Sequence, residues 1–186
     1  MIGNHWFHPA LVLLLGAAAL PLVPARLKKT WLLLVPALAF FFVLTMNLGR
    51  GDHWHVAFLK WNLTFGRVDS LSLVFAHIMS LMCIVGTLFG LQVKEDAQHI
   101  AAWTYVAGSL GAIFAGDLLT LFLFWEVMAF ASVFLIWFRR EPESTAAGFR
   151  YLLVHVAGGL SLLAGIVWHV HLTGSTSFAA FTFSVR

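Results

Sequence analysis

The 186-residue chain is 61% hydrophobic and only 10% charged, and its mean hydropathy of +0.90 lies far above that of a soluble globular domain. Its formal net charge of +3 comes from 11 basic and 8 acidic residues, so the basic balance reflects scarce acids and excludes a nucleic-acid-binding surface. Cys83 is the single cysteine, which excludes an intrachain disulfide and a thiolate metal cluster.

A spanning helix needs about 20 mainly apolar residues, and that criterion divides the chain at its charged and glycine-bearing punctuation. The expectation is an all-α membrane protein of about six transmembrane helices, near 8–24, 31–48, 69–92, 98–116, 117–138 and 149–172. The first is short and proline-flanked, and no Lys or Arg precedes it, so it reads as a retained helix and not as a cleaved signal peptide. Between the second and third, His53, His55, Ala57, Leu59, Trp61 and Leu63 alternate with Trp54, Val56, Phe58 and Lys60, which predicts a short surface hairpin near 49–67. In the fourth, Gly108, Ala112 and Gly116 recur every four residues and would let another backbone approach; Gly158 and Gly159 offer the sixth something similar. No repeat, low-complexity segment or linker divides residues 1–186, which read as one transmembrane unit.

Lys and Arg fall unevenly among the loops. One side collects Arg26, Lys28, Lys29, Lys94, Arg139, Arg140 and Arg150, and the other has Arg50, Lys60, Arg67 and Arg186. Cytoplasmic loops retain positive charge. The expected setting is therefore multi-pass in the cell inner (plasma) membrane, with the N-terminus and the tail from Thr173 to Arg186 on the non-cytoplasmic side.

The segment Asp117 to Arg140 reads DLLTLFLFWEVMAFASVFLIWFRR and places Glu126 near the middle of the bilayer. A charge there costs at least about 3 kcal/mol, so an unpaired carboxyl is favoured protonated, and a lysine approaching from a neighbouring helix favours the charged form instead. A movable ion pair is thus a proton switch; a fixed polar contact between helices is the plainer alternative. Lys28, Lys29, Lys60 and Lys94 all lie in loops or at helix ends, so the partner lysine is expected on another polypeptide. His155, within the sixth segment, is a candidate proton relay, with a buried hydrogen-bonded histidine as the alternative. His77, near Ser80 and Thr87, reads as structural, and Asp69 and Asp117 read as N-caps. His53 and His55 form an H-x-H pair without a third ligand, and no metal or cofactor is expected.

The runs VDSLSLVFAHIMSLM, GDLLTLFLFWEVMAFASVFLI and FRYLLVHVAGGLSLLAG resemble consecutive helices of the antiporter-like membrane subunits. That family is shared by Mrp-type multisubunit cation/proton antiporters, the proton-pumping arm of complex I, and membrane-bound hydrogenases. The resemblance runs from about Val68 to Gly174 and is most specific at Trp125-Glu126, with the D-type Mrp subunit the nearest likeness. It implies the N-terminal part of an antiporter-like fold, in which Glu126 takes the place of a fifth-helix glutamate that pairs with a seventh-helix lysine. Family members usually have about fourteen helices with two inverted five-helix repeats. The chain is accordingly expected to be a split transporter component of this D type, not an enzyme, whose partner membrane subunit carries the remaining helices and the lysine. A structural scaffold subunit is the main alternative, and a haem anchor using His155 and His169 a remote one. The exchanged ion, Na⁺, K⁺ or H⁺ alone, is left open, as is the parent complex.

Overall fold

The computed structural model describes residues 7–46, 50–59 and 61–178. Lys60, Arg186, the tail beyond 178 and the expected end of the second segment at 47–48 lie outside the described residues. Six helices and one hairpin follow in order: α1 (Pro9–Ala19, continued by a 3-10 turn at Leu20–Leu22), α2 (Lys28–Thr45), β1 (Gly51–Phe58), β2 (Trp61–Val68), α3 (Ser70–Gly90), α4 (Asp96–Ile113), α5 (Leu118–Trp137) and α6 (Pro142–Thr173).

Four of these helices, α2, α3, α5 and α6, are long and apolar enough to cross a membrane. The other two are shielded by their neighbours. The short α1 packs on α2 and α4, and α4 in turn touches α1, α3 and α5. The core lies where these helices meet, around Leu13, Val35, Val43, Leu110, Trp103 and Phe114. Large apolar side chains on α3, α5 and α6, among them Phe89, Phe130 and Trp168, remain exposed, as expected of surfaces solvated by lipid or by further helices.

Local sequence explains the helix boundaries. Asp69 caps α3 in a reciprocal capping box: its carboxylate accepts from the Ser72 N–H while the Ser72 hydroxyl accepts from the Asp69 N–H. That Ser72 N–H bond, outside the span, holds the Asp69 carboxyl below the usual carboxylate range. Pro142 occupies the first turn of α6, where a missing N–H costs nothing. Gly174 ends α6 in the left-handed conformation at φ 70°, its N–H donating to the Val170 carbonyl at 2.8 Å.

Of the boundaries that differ from the sequence reading, two bear on the site. Helix α6 starts at Pro142, seven residues before 149, because a helix continues beyond the apolar stretch once its polar first turn reaches the interface. Helix α4 stops at Ile113, and Phe114 to Gly116 leave it to run beside the hairpin. There the Arg67 N–H donates to the Phe114 carbonyl at 2.7 Å and the Gly116 N–H to the Thr64 carbonyl at 2.9 Å.

The hairpin is antiparallel with Gly51 opposite Val68 and Phe58 opposite Trp61. The short connection leaves Leu59 at φ 54°, the positive φ that two-residue hairpin loops demand.

Candidate functional site

Helix α5 is 20 residues long, about 30 Å at 1.5 Å per residue. Asp117 fixes its start, and the attachment is unusually rich: the nearly fully buried carboxylate accepts from the Thr120 N–H at 2.9 Å, the Thr120 hydroxyl at 2.7 Å and the Thr64 N–H of β2 at 2.6 Å. The Leu118 N–H donates to the Thr176 carbonyl at 3.0 Å. One acid thereby ties the hairpin to α5, and the segment after α6 joins them.

At the opposite end of the bundle the basic loops are joined by ion pairs. Lys28 at the start of α2 pairs with Asp96 at the start of α4. Arg140 after α5 reaches Glu95 at 2.8 Å, and Arg139 reaches Glu141 at 2.7 Å.

Between these ends, Glu126 is the ninth residue of α5, about 12 Å from the helix start. It is half-buried, and its Oε1 is enclosed without a hydrogen-bond partner among the described residues. The enclosure is made by Gly159 of α6. A Cβ on Gly159 would run into Oε1 and lie 3.2 Å from the carboxyl carbon, whereas a Cβ on Gly158 would meet nothing within 4 Å. Gly159 therefore opens a slot for the carboxyl, and α6 closes it.

One turn of α6 from Gly159 stands His155, and one further turn along the same stripe stands Tyr151. The Tyr151 and His155 rings lie 4.5 Å apart, centroid to centroid. The Tyr151 hydroxyl lies 2.8 Å from the Ser132 hydroxyl of α5. The α5–α6 seam thus carries a polar column, from Glu126 at Gly159 through His155 to Tyr151 and Ser132, that runs toward the end bearing the ion pairs.

The other sequence candidates lie elsewhere. His77 bonds the Leu73 carbonyl of its own helix at 2.6 Å and meets the edge of Phe40. Ser80 donates to the Ala76 carbonyl, and Thr87 accepts from the Trp103 indole of α4, so these polar groups of α3 serve packing. His55 meets the Thr64 hydroxyl at 3.1 Å across the hairpin. His169 lies on α6 fourteen residues beyond His155, while His77 stands on α3, which packs on α2 and α4.

Three features escaped the sequence reading. His8 caps α1, its Nδ1 accepting from the Ala10 N–H at 3.1 Å, and its ring is buried against Trp54, Phe114 and Phe124. Gly111, outside the four-residue spacing, is covered by the Phe124 ring; Gly108 lies against the Met128 backbone, but Gly116 lies beyond α4, against Thr64. Tyr151 and Ser132 carried no sequence signal, because their pairing spans 19 residues and two helices.

Residues 115–184 match the family model described as NADH:quinone oxidoreductase/Mrp antiporter, transmembrane. Curated relatives include Na⁺/H⁺ antiporter subunit A1 of Staphylococcus aureus strains JH9 and Newman. Each is 28% identical over 177 residues, covering 86% of this chain and 22% of the relative. The chain therefore spans about a fifth of the length of these relatives. Among solved structures, the Mrp complex from Dietzia sp. matches with a TM-score of 0.75 and 25% identity over 92% of this chain and 20% of that one. The archaeal membrane-bound sulfane sulfur reductase matches in fold with a TM-score of 0.81 at 24% identity, covering 92% of this chain and 28% of that one. Respiratory complex I from Thermus thermophilus does so with 0.72 at 20% identity, covering 91% and 38%. By matched domain, curated relatives and fold together, the chain is similar to the antiporter-like membrane subunits of the Mrp and complex I type.

Proposed function

We propose that the chain is a component, resembling the D-type Mrp subunit, of a multisubunit cation/proton antiporter or related ion-pumping complex, and that Glu126 is its proton switch. The observation that carries this reading is the enclosed, unpartnered Oε1 of Glu126 at mid-span, in a slot kept open by Gly159. A carboxyl with one enclosed, unpartnered oxygen responds to any charge that moves near it. An ammonium brought close favours the carboxylate, and its withdrawal favours the acid. Each 1.4 kcal/mol of interaction gained or lost changes proton affinity about tenfold.

The lysine that performs this movement comes from beyond these 186 residues, since Lys28, Lys29 and Lys94 lie at helix starts or in a loop and Lys28 is already paired with Asp96. It would be carried by the remaining antiporter-like helices of the assembly, on a companion membrane subunit. His155, one turn along the seam, relays protons between Glu126 and the end of the bundle that bears the ion pairs. That end carries seven of the 11 basic residues and faces the cytoplasm in this reading, with the N-terminus on the other side of the plasma membrane.

The test is Glu126→Gln in the assembled complex, in sealed vesicles. The amide keeps the shape and cannot carry the proton. Expected is loss of cation/proton exchange or redox-driven pumping with assembly unchanged; undiminished transport refutes the switch and leaves a scaffold subunit.

A further inference from the structure

We infer that Tyr151 is a positioning residue for His155, and that Ser132 anchors it. This rests on the reading of the α5–α6 seam as a proton path, and it follows from counting protons in that seam. The Ser132 hydroxyl has one proton, and it is committed to the Ala129 carbonyl at 2.6 Å. At the 2.8 Å contact between Ser132 and Tyr151 the proton must therefore come from tyrosine. The order is fixed: Tyr151 donates to Ser132, and Ser132 donates to the α5 backbone.

Two consequences follow for the histidine. With its hydroxyl held on α5, the Tyr151 ring cannot swing away and remains 4.5 Å from the imidazole as a wall on one side. The imidazole is thereby limited to orientations that keep it on the stripe leading to Gly159 and Glu126. The tyrosine oxygen, with its proton directed at Ser132, has only lone pairs to offer toward the seam, so it can accept from a water or an imidazole N–H and cannot compete as a donor. The hydroxyl anchor and the ring wall are separable: phenylalanine keeps the wall, and leucine removes both.

The direct test is nitrogen-15 NMR of histidine-labelled protein, as the full assembly in lipid nanodiscs, with the His155 signals assigned by their loss in His155→Gln. Tyr151→Leu should displace or split the His155 signals, while Ser132→Ala and Tyr151→Phe, which each remove the anchor and keep the ring, should both broaden them. His155 signals in Tyr151→Leu and Ser132→Ala that superimpose on wild type overturn the inference. Transport supplies a second readout. Tyr151→Leu should slow exchange about tenfold, as when an oriented proton-transfer group is left to rotate, and should add nothing in the His155→Gln background. Equal losses in both backgrounds make Tyr151 merely structural and also overturn the inference. Normal transport by Glu126→Gln would remove the proton path itself and leave the NMR result standing, so the two failures are distinguishable.

Discussion

Gly158 and Gly159 are adjacent on α6 yet meet opposite surroundings, which makes the pair an internal control for the carboxyl slot. Alanine at either position stabilises a helix by about 0.5–1 kcal/mol relative to glycine, so any difference between the two variants comes from contact. At Gly158 the new methyl meets nothing within 4 Å; at Gly159 it overlaps Oε1 of Glu126 and lies 3.2 Å from the carboxyl carbon. Ordinary packing requires about 3.5–4.0 Å, so the carboxyl must withdraw by about 1 Å or rotate out of the slot. The obstacle is the end of a flexible side chain, so the helices can remain packed. A proton donor and acceptor displaced by that amount pass beyond hydrogen-bond reach. Exchange measured by a pH-sensitive dye in sealed vesicles should match wild type in Gly158→Ala. In Gly159→Ala it should fall about tenfold or more, with equal amounts of assembled complex in both. Indistinguishable transport by the two variants would refute the slot argument.

Asp117→Ala should destabilise the hairpin attachment by about 3 kcal/mol, since it removes an N-cap and leaves buried donors on Thr64 and Thr120 unsatisfied; faster hydrogen exchange at those two amides would report it. Gly111→Ala forces the Phe124 ring from its place over α4 and should cost about 1–3 kcal/mol. Thermal denaturation in detergent should show the loss, and adding Phe124→Leu should recover most of it. Removing the capping box by Asp69→Ala should fray the first turn of α3, a loss of about 1 kcal/mol. Because the folded carboxyl sits below its ordinary range, the contribution of Asp69 is present at neutral pH and disappears as pH falls through that lowered value. The wild-type and Asp69→Ala proteins should therefore converge in stability in acid.

Hydropathy makes the helical membrane class legible because burial in lipid acts on whole segments: a run such as LLTLFLFWEVMAFASVFLIW in α5 has no soluble alternative. Caps are legible for a similar reason, since Asp69 and Asp117 act on amides three residues away in the chain. What hydropathy misses is polar helix. The first turns of α6, with Glu143 and Arg150, continue the helix beyond the apolar run and carry no hydropathic signal. Partners from distant segments are equally invisible. Neither Gly111 beneath Phe124, nor His8 among three aromatic rings, nor Tyr151 on Ser132 has any local pattern, because each depends on how two helices, or a helix and the hairpin, are rotated against one another. In the candidate site, Glu126 stood out by its charge at mid-span and by the resemblance at Trp125-Glu126. The glycine that makes room for it could be read only as a packing residue until the rotation of α6 was known.

Helix α6 meets the rest of the bundle chiefly through α5, while α1 to α4 enclose their own core. An assembly in which the inner helices can associate first delivers α6 as a late arrival. Until it docks, Glu126 faces lipid or water entering beside α5; after docking, its carboxyl is shut in with Gly159 as the door. The cost of enclosing a carboxyl oxygen without a hydrogen-bond partner therefore falls on the docking of α6. Any mutation that makes the acid harder to enclose should weaken the docking of α6 before it weakens the core.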